Sequence, residues 1–161
     1  MSRKHIRYLC SREAFRCHNE LAPFARQSLA LSQFELVSTA IHQFLASRSD
    51  LLLERASAGW IREGHGDLRV GHVCLEPGGV VQIFDCVEFN RDLRCADVAS
   101  DLAFLLMDLT RLGASDVATA LLSRYREAGL DLPDELLRLY TAHRALVRAK
   151  IAGFELPDSN N

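Results

Sequence analysis

The sequence predicts an α+β fold that is mainly helical, with one small β-hairpin on one side. Three observations carry that expectation. Apolar residues recur at three- and four-residue steps through most of residues 32–152, which is the pattern of helices that pack by one face. The stretch from Leu68 to Cys86 breaks that rhythm with two strand-like runs around Pro77-Gly78-Gly79. The composition, 48% apolar and 25% charged over 161 residues, fits one globular domain with a real core. No repeat, low-complexity stretch or linker divides residues 1–161, so a single domain is expected.

Residues 1–31 read as an irregular or short-helix lead-in. Arg12, Arg16 and Arg26 are scattered among Phe15, Leu21 and Phe24, and Pro23 interrupts any helix. Cys10 and Cys17 with His5 and His18 match no standard zinc spacing. From Ser32 a helix begins, with Phe34, Val37, Ile41, Phe44 and Leu45 on one face and Ser32 with Glu35 as a capping pair. A break near Ser47 to Asp50 precedes Leu51-Leu52-Leu53, and Gly59 is the expected stop. Trp60-Ile61-Arg62-Glu63 leads into a loop at Gly64-His65-Gly66, where the glycines permit backbone angles that other residues avoid.

The hairpin follows, with Asn90-Arg91-Asp92 as a turn after it. Residues 98–112 form the most apolar helix, which belongs in the centre of the core, and Asp101 inside it needs donors if it is buried. Gly113 ends that helix, and Ser115 or Asp116 can cap the next, which carries Val117, Leu121, Leu122 and Tyr125 and stops at Gly129. Pro133 opens a last helix to about Ala152. Arg144, Arg148 and Lys150 in its second half suit a solvated helix end, with an approach of Arg144 or Arg148 to phosphate as the competing reading. Residues 153–161 read as a tail.

Charge and composition exclude several classes. A net charge of −2 provides no basic field for nucleic acid or an anionic membrane. No apolar run is long enough to span a bilayer, and the basic N-terminus lacks the apolar segment of a signal peptide. Five irregularly spaced cysteines point to free thiols in a reducing cytoplasm.

The chemistry concentrates at the ends of the hairpin. Asp67 precedes the first run and Asp85 ends the second, so folding the hairpin brings both carboxylates to one small volume. One carboxylate can take a proton from a hydroxyl while the other holds a divalent ion. The four N/O side chains of His65, Asp67, His72 and Asp85 also allow a weaker reading, a metal-dependent hydrolase.

His65-Gly66-Asp67, with Ile83-Phe84-Asp85 eighteen residues on, resembles the aminoglycoside phosphotransferase group of the protein-kinase-like superfamily. The closer likeness is to a bacterial branch often fused to a P-loop ATP-binding domain. It includes Cys86-Val87-Glu88-Phe89-Asn90, the run Asp97 to Leu109, and Arg144 to Lys150, and covers roughly residues 32–152. The resemblance implies a kinase-like C-terminal lobe and ATP- and Mg2+-dependent phosphoryl transfer to a small-molecule hydroxyl. In it Asp67 takes the acceptor proton, Asp85 holds magnesium, His65 belongs to the catalytic loop, and Asp101 braces that loop. Arg69 and His72 lie on the nucleotide side, with His72 beside Asp85 at the metal, and Glu88 and Asn90 border the acceptor pocket.

The sequence departs from the family pattern twice. His72 stands where the family usually has a magnesium-binding asparagine. Its imidazole offers nitrogen to an ion that prefers oxygen, so the second metal position is lost or altered, or a protonated His72 contacts phosphate. The second departure is a missing part: no Gly-rich loop is followed by a strand lysine, and Lys4 and Lys150 are the only lysines. The N-terminal lobe is therefore expected to be absent and the domain inactive alone. The competing reading is a non-catalytic kinase-like fragment that binds an ATP-binding partner through apolar surface left by that lobe.

Overall fold

The structure is a computed structural model and describes residues 19–20 and 31–154. Most of the expected lead-in, with Cys10, Cys17, His5 and His18, lies outside the described residues, as does the tail from residue 155. The fold is α+β and mainly helical. The described residues fall into two compact units, one built from residues up to Ala56 together with those from Ala142, the other from Ser57–Thr141.

The first unit holds α1 (Leu31–Ser47) and α2 (Ser49–Ser57), separated at Arg48 where a break was expected. Phe34 and Ile41 are buried from α1 and Leu52 from α2, in line with the apolar face read from spacing. Ser32 lies inside α1. The second half of α6 (Asp134–Phe154) also belongs here and runs two residues beyond the expected end at Ala152. Arg144 is buried, which corrects the reading of its charge as solvated, while Arg148 is half-buried. Lys150 Nζ sits 2.8 Å from Glu20 Oε2.

His143 in this unit has a consequence for stability. Its Nε2 finds no hydrogen-bond partner among the described residues. Burial, with repulsion from Arg144 and Lys150, pushes its pKa down from 6.5 to about 4. Between those two values the unfolded chain binds a proton that the folded chain refuses, so stability falls as pH drops through that window and levels off below it. The loss is expected to reach roughly 3 kcal/mol. Urea unfolding at pH 7.5 and pH 4.5 measures it, and His143→Phe is expected to remove most of the difference; an equal slope in the variant contradicts it.

The second unit carries two small antiparallel sheets. β1 (Ile61–Glu63) pairs with β4 (Cys95–Asp97), Ile61 opposite Asp97 and Glu63 opposite Cys95. β2 (Val73–Leu75) pairs with β3 (Val81–Ile83), Val73 opposite Ile83. The turn between β2 and β3 is closed by Glu76 N–H to Val80 O at 2.8 Å, and Gly78 and Gly79 take the positive φ it requires. Three helices complete the unit with the first part of α6: α3 (Arg91–Arg94), α4 (Val98–Arg111) and α5 (Ser115–Glu127).

The core of this unit joins Ala99, Leu102 and Ala103 of α4 to Leu132 and Leu137, with Leu121, Leu122, Tyr125 and Tyr140 packed against them. Ser100, Phe104 and Asp108 are buried on another side of α4, so the helix is enclosed over much of its circumference, as its composition predicts. The buried Asp97 caps it by accepting the Ala99 N–H at 2.9 Å.

Four local expectations change. The first hairpin strand begins at Val73 rather than just after Asp67, because Val70–His72 turn into a short 3-10 helix. Asn90 starts α3 instead of a simple turn, its side chain accepting the Asp92 N–H at 2.9 Å. The N-cap of α5 is Ala114, without a side-chain bond, rather than Ser115 or Asp116. The β1–β4 sheet was not expected, since three-residue strands are too short to show alternation. No helix among the described residues is long and apolar enough to cross a membrane.

Candidate active site around His72

The loop from Gly64 to His72 is held at three points. The first is Asp101, half-buried on α4. Its Oδ2 accepts the His65 amide at 2.7 Å and its Oδ1 accepts the Gly66 amide at 3.0 Å. Gly64 is required for space, since a Cβ there would lie 2.5 Å from Asp101 Oδ2. Gly66 is required for conformation, with φ at +82°.

The second point is His65 itself. A carbonyl only accepts and an amide N–H only donates, so its ring tautomer follows from its partners. Nε2–H donates to Phe84 O at 2.8 Å, and Nδ1 accepts the Asp67 N–H at 3.3 Å. The first bond ties the loop to Phe84, just past β3, and the second closes the loop on itself. Each His65 ring nitrogen therefore has a hydrogen-bond partner within the protein.

Asp108 is the third point, one that the sequence reading missed. It is buried two turns beyond Asp101 on α4, and its Oδ2 accepts the Val70 N–H at 3.1 Å. Arg111 donates to its other oxygen through Nε at 3.0 Å. The available signal was its seven-residue spacing from Asp101 on an apolar helix. Asp108→Ala would orphan the Val70 amide, and is expected to cost about 2 kcal/mol in urea unfolding. A loss below about 0.5 kcal/mol would show that the contact carries no stability.

These anchors aim Asp67, Arg69, His72 and Asp85 at one another. His72 is buried, and its Nδ1–H donates to Asp67 O at 2.8 Å. Arg69 lies across the Asp67 carboxylate, with Nε 3.2 and 3.1 Å from its two oxygens, and its Nη2 donates to His72 Nε2 at 2.8 Å. Asp85 Oδ2 stands 3.2 Å from the same Nε2. Asp67 Oδ2 is 3.7 Å from the ring's Nδ1, so both carboxylates lie against one imidazole. The His72 ring is stacked on His65 at 5.7 Å and meets Phe84 at 6.1 Å.

Asp85 is unusual in its backbone. It is the only non-glycine residue with positive φ among the described residues, at 62°. Side chains with a Cβ occupy that region at a cost, although Asp tolerates it better than most. Its carboxylate is 72% exposed, so solvent reaches it while Asp67 is mostly covered at 26%.

Glu88 is exposed, and the Asn90 side chain accepts the Asp92 N–H through Oδ1 as the cap of α3. Arg94 ties the segment after Asp85 to β1, donating to Val87 O and to Glu63, whose carboxyl pKa Arg94 and Arg91 hold below its ordinary value. Among the described residues no three His, Cys, Asp or Glu side chains form a metal-binding group. That removes support from the hydrolase reading, which needs His65, Asp67, His72 and Asp85 to act as one ligand set. A magnesium ion asks for less, since it commonly takes one or two carboxylates and completes its shell with phosphate oxygens and water. The exposed Asp85 fits that demand; His72 fits it only through nitrogen.

Comparison with known proteins finds uncharacterized proteins of Mycobacterium bovis and of two strains of Mycobacterium tuberculosis. Each is 34% identical over 142 residues, which is 86% of this chain and 28% of the relative. The chain thus spans less than a third of the length of the curated relatives it matches. No family model and no solved structure matches it.

Proposed function

We propose that residues 57–112 carry the catalytic centre of a kinase-like phosphotransferase of the aminoglycoside phosphotransferase type, transferring phosphate from ATP to a small-molecule hydroxyl with magnesium. The observation that carries this reading is the left-handed Asp85, whose exposed carboxylate meets His72 beside the partly covered Asp67. A residue held in a costly conformation at the mouth of a charged cluster is a mark of function.

In this reading Asp85 holds the divalent ion that neutralises the nucleotide phosphates. Asp67 orients the acceptor hydroxyl and takes its proton. The hydroxyl oxygen then bonds to the γ-phosphorus, the bond to the β–γ bridging oxygen breaks, and ADP leaves. Arg69 can release Asp67 and turn toward phosphate, which suits its planar donors. The 161 residues contain no Gly-rich loop with a strand lysine, so a second unit must cover the nucleotide. Free Cys74, Cys86 and Cys95 favour a reducing compartment such as the cytoplasm.

The test is calorimetric titration of ATP with and without magnesium. Wild type and Asp67→Asn are both expected to bind weakly and only with the ion, and Asp67→Asn to lose transfer when an ATP-binding partner is supplied. No magnesium-dependent binding by wild type, even with that partner, overturns the reading.

A second reading has its own support. Leu75, Val80, Val81, Ile83, Phe84 and Phe89 are all at least half exposed on and just beyond the hairpin. Such apolar surface suits a non-catalytic domain that docks an ATP-binding protein. Pairing unchanged by Asp85→Ala, without nucleotide binding, would favour it.

A further inference from the structure

We propose that two copies of this chain pair through the open edge of β3, antiparallel and centred on Gln82, to form one four-stranded sheet. The pairing does not depend on the catalytic reading and would survive its failure.

The ladder of the hairpin shows which edge is open. The Glu76 N–H donates to Val80 O at 2.8 Å and the Phe84 N–H to His72 O at 3.1 Å. Antiparallel bonding alternates along a strand, so Val80, Gln82 and Phe84 direct their backbone groups at β2. Val81 and Ile83 direct theirs the other way. β3 pairs only with β2, so the N–H and C=O groups of Val81 and Ile83 have no strand partner among the described residues.

Edge strands are commonly protected by a charge, a proline or a bulge. Val80-Val81-Gln82-Ile83-Phe84 contains no charged residue and no proline, and its register with β2 is unbroken. All five residues are exposed, Val81 and Ile83 at 56%. β2 is the poorer edge, since Val73 is half-buried and Glu76 closes the strand with a charge.

What fits this edge is the same edge. The five residues read apolar, apolar, Gln, apolar, apolar in either direction. A two-fold axis at Gln82 sets Val81 opposite the partner's Ile83, and Ile83 opposite the partner's Val81. Both are outward-facing positions, so each pair exchanges both of its N–H···O bonds and every open group is satisfied. Val80 meets the partner's Phe84, apolar against apolar. Asp85 falls opposite the partner's Gly79, so no like charges face each other across the seam and no side chain covers that carboxylate. Burying the exposed parts of Leu75, Val80, Val81, Ile83 and Phe84 in both copies removes on the order of 1,000 Å² from water, the low end for a specific interface. A dissociation constant on the order of 10–100 μM is therefore expected.

The test is sedimentation velocity of the full chain at concentrations extending tenfold to either side of that range, with amide exchange read residue by residue at both ends. Wild type is expected to pass from monomer to dimer. The Val81 and Ile83 amides are expected to gain protection as it does, while Gln82, already bonded within the hairpin, does not change. Val81→Pro removes an outward N–H and leaves the hairpin's own ladder intact, and is expected to abolish the dimer. Gln82→Glu covers the case in which that variant disturbs the hairpin. It sets two carboxylates opposite each other at the axis, each beside the Glu76 that Gln82 Nε2 bonds at 2.5 Å. The dimer is expected to weaken at least about tenfold in that variant and to recover in high salt. A chain that stays monomeric across the range, whatever other protein it binds, overturns the proposal. So does a dimer that Gln82→Glu leaves intact, or one in which Val81 and Ile83 exchange as fast as in the monomer.

Discussion

Asp85→Gly is expected to abolish ion-dependent nucleotide binding while making the folded chain more stable. The two effects have separate causes. Asp85 sits at φ 62°, where a side chain with a Cβ is strained and glycine is not. Its carboxylate is 72% exposed and meets only the lone-pair side of His72, so its loss breaks little that holds the fold together. Relief of the backbone outweighs the added freedom of glycine when unfolded, and a gain of about 1 kcal/mol is expected. Binding falls by on the order of 100-fold or more, because the ion loses its only charged protein ligand. Opposite signs for stability and binding are what a strained functional residue produces. Thermal unfolding and calorimetry on the same preparation measure both. A variant less stable than wild type, with binding intact, would show that Asp85 is structural.

Removing Asp101 should have the largest effect on stability. Its two oxygens satisfy the His65 and Gly66 amides, the backbone that carries Asp67. Asp101→Ala removes the acceptor that both amides share, and is expected to cost about 2–4 kcal/mol. Gly64→Ala attacks the same contact from the other side, since its Cβ would stand 2.5 Å from Asp101 Oδ2 and displace the carboxylate. A cost of about 2 kcal/mol is expected there. The clash vanishes once the carboxylate is gone, so the double variant should be little worse than Asp101→Ala alone. Urea unfolding of the four proteins gives the coupling. Additive losses would mean that a side chain at Gly64 is disfavoured for another reason, and that the Asp101 contact is not what excludes it.

Much of the fold was legible because it depends on local periodicity. The face of α1, the break at Arg48 and the enclosed α4 follow from residue spacing alone. The β2–β3 hairpin itself follows from a turn, Pro77-Gly78-Gly79, that the chain writes plainly. What was not legible depends on partners far along the chain. Leu68 to His72 looks like the start of a strand, but Asp108 takes the Val70 amide and the His72 ring reaches back to the Asp67 carbonyl. Those bonds wind the segment into a 3-10 turn before β2 can begin. The left-handed Asp85 carries no sequence signal either, since aspartate at a strand end usually has negative φ. The tautomers of His65 and His72 follow only from atoms brought together by folding.

One nuclear magnetic resonance experiment addresses most directly whether Asp67 and Asp85 share one ion-and-hydroxyl site. Mn2+ added in small amounts to the labelled full chain broadens the amides nearest the bound ion. Broadening should come first at residues 65–67, at His72 and at 84–86 together, and Asp85→Ala should remove it from all three. Broadening that begins elsewhere, or that reaches Asp85 without Asp67, would contradict a shared site.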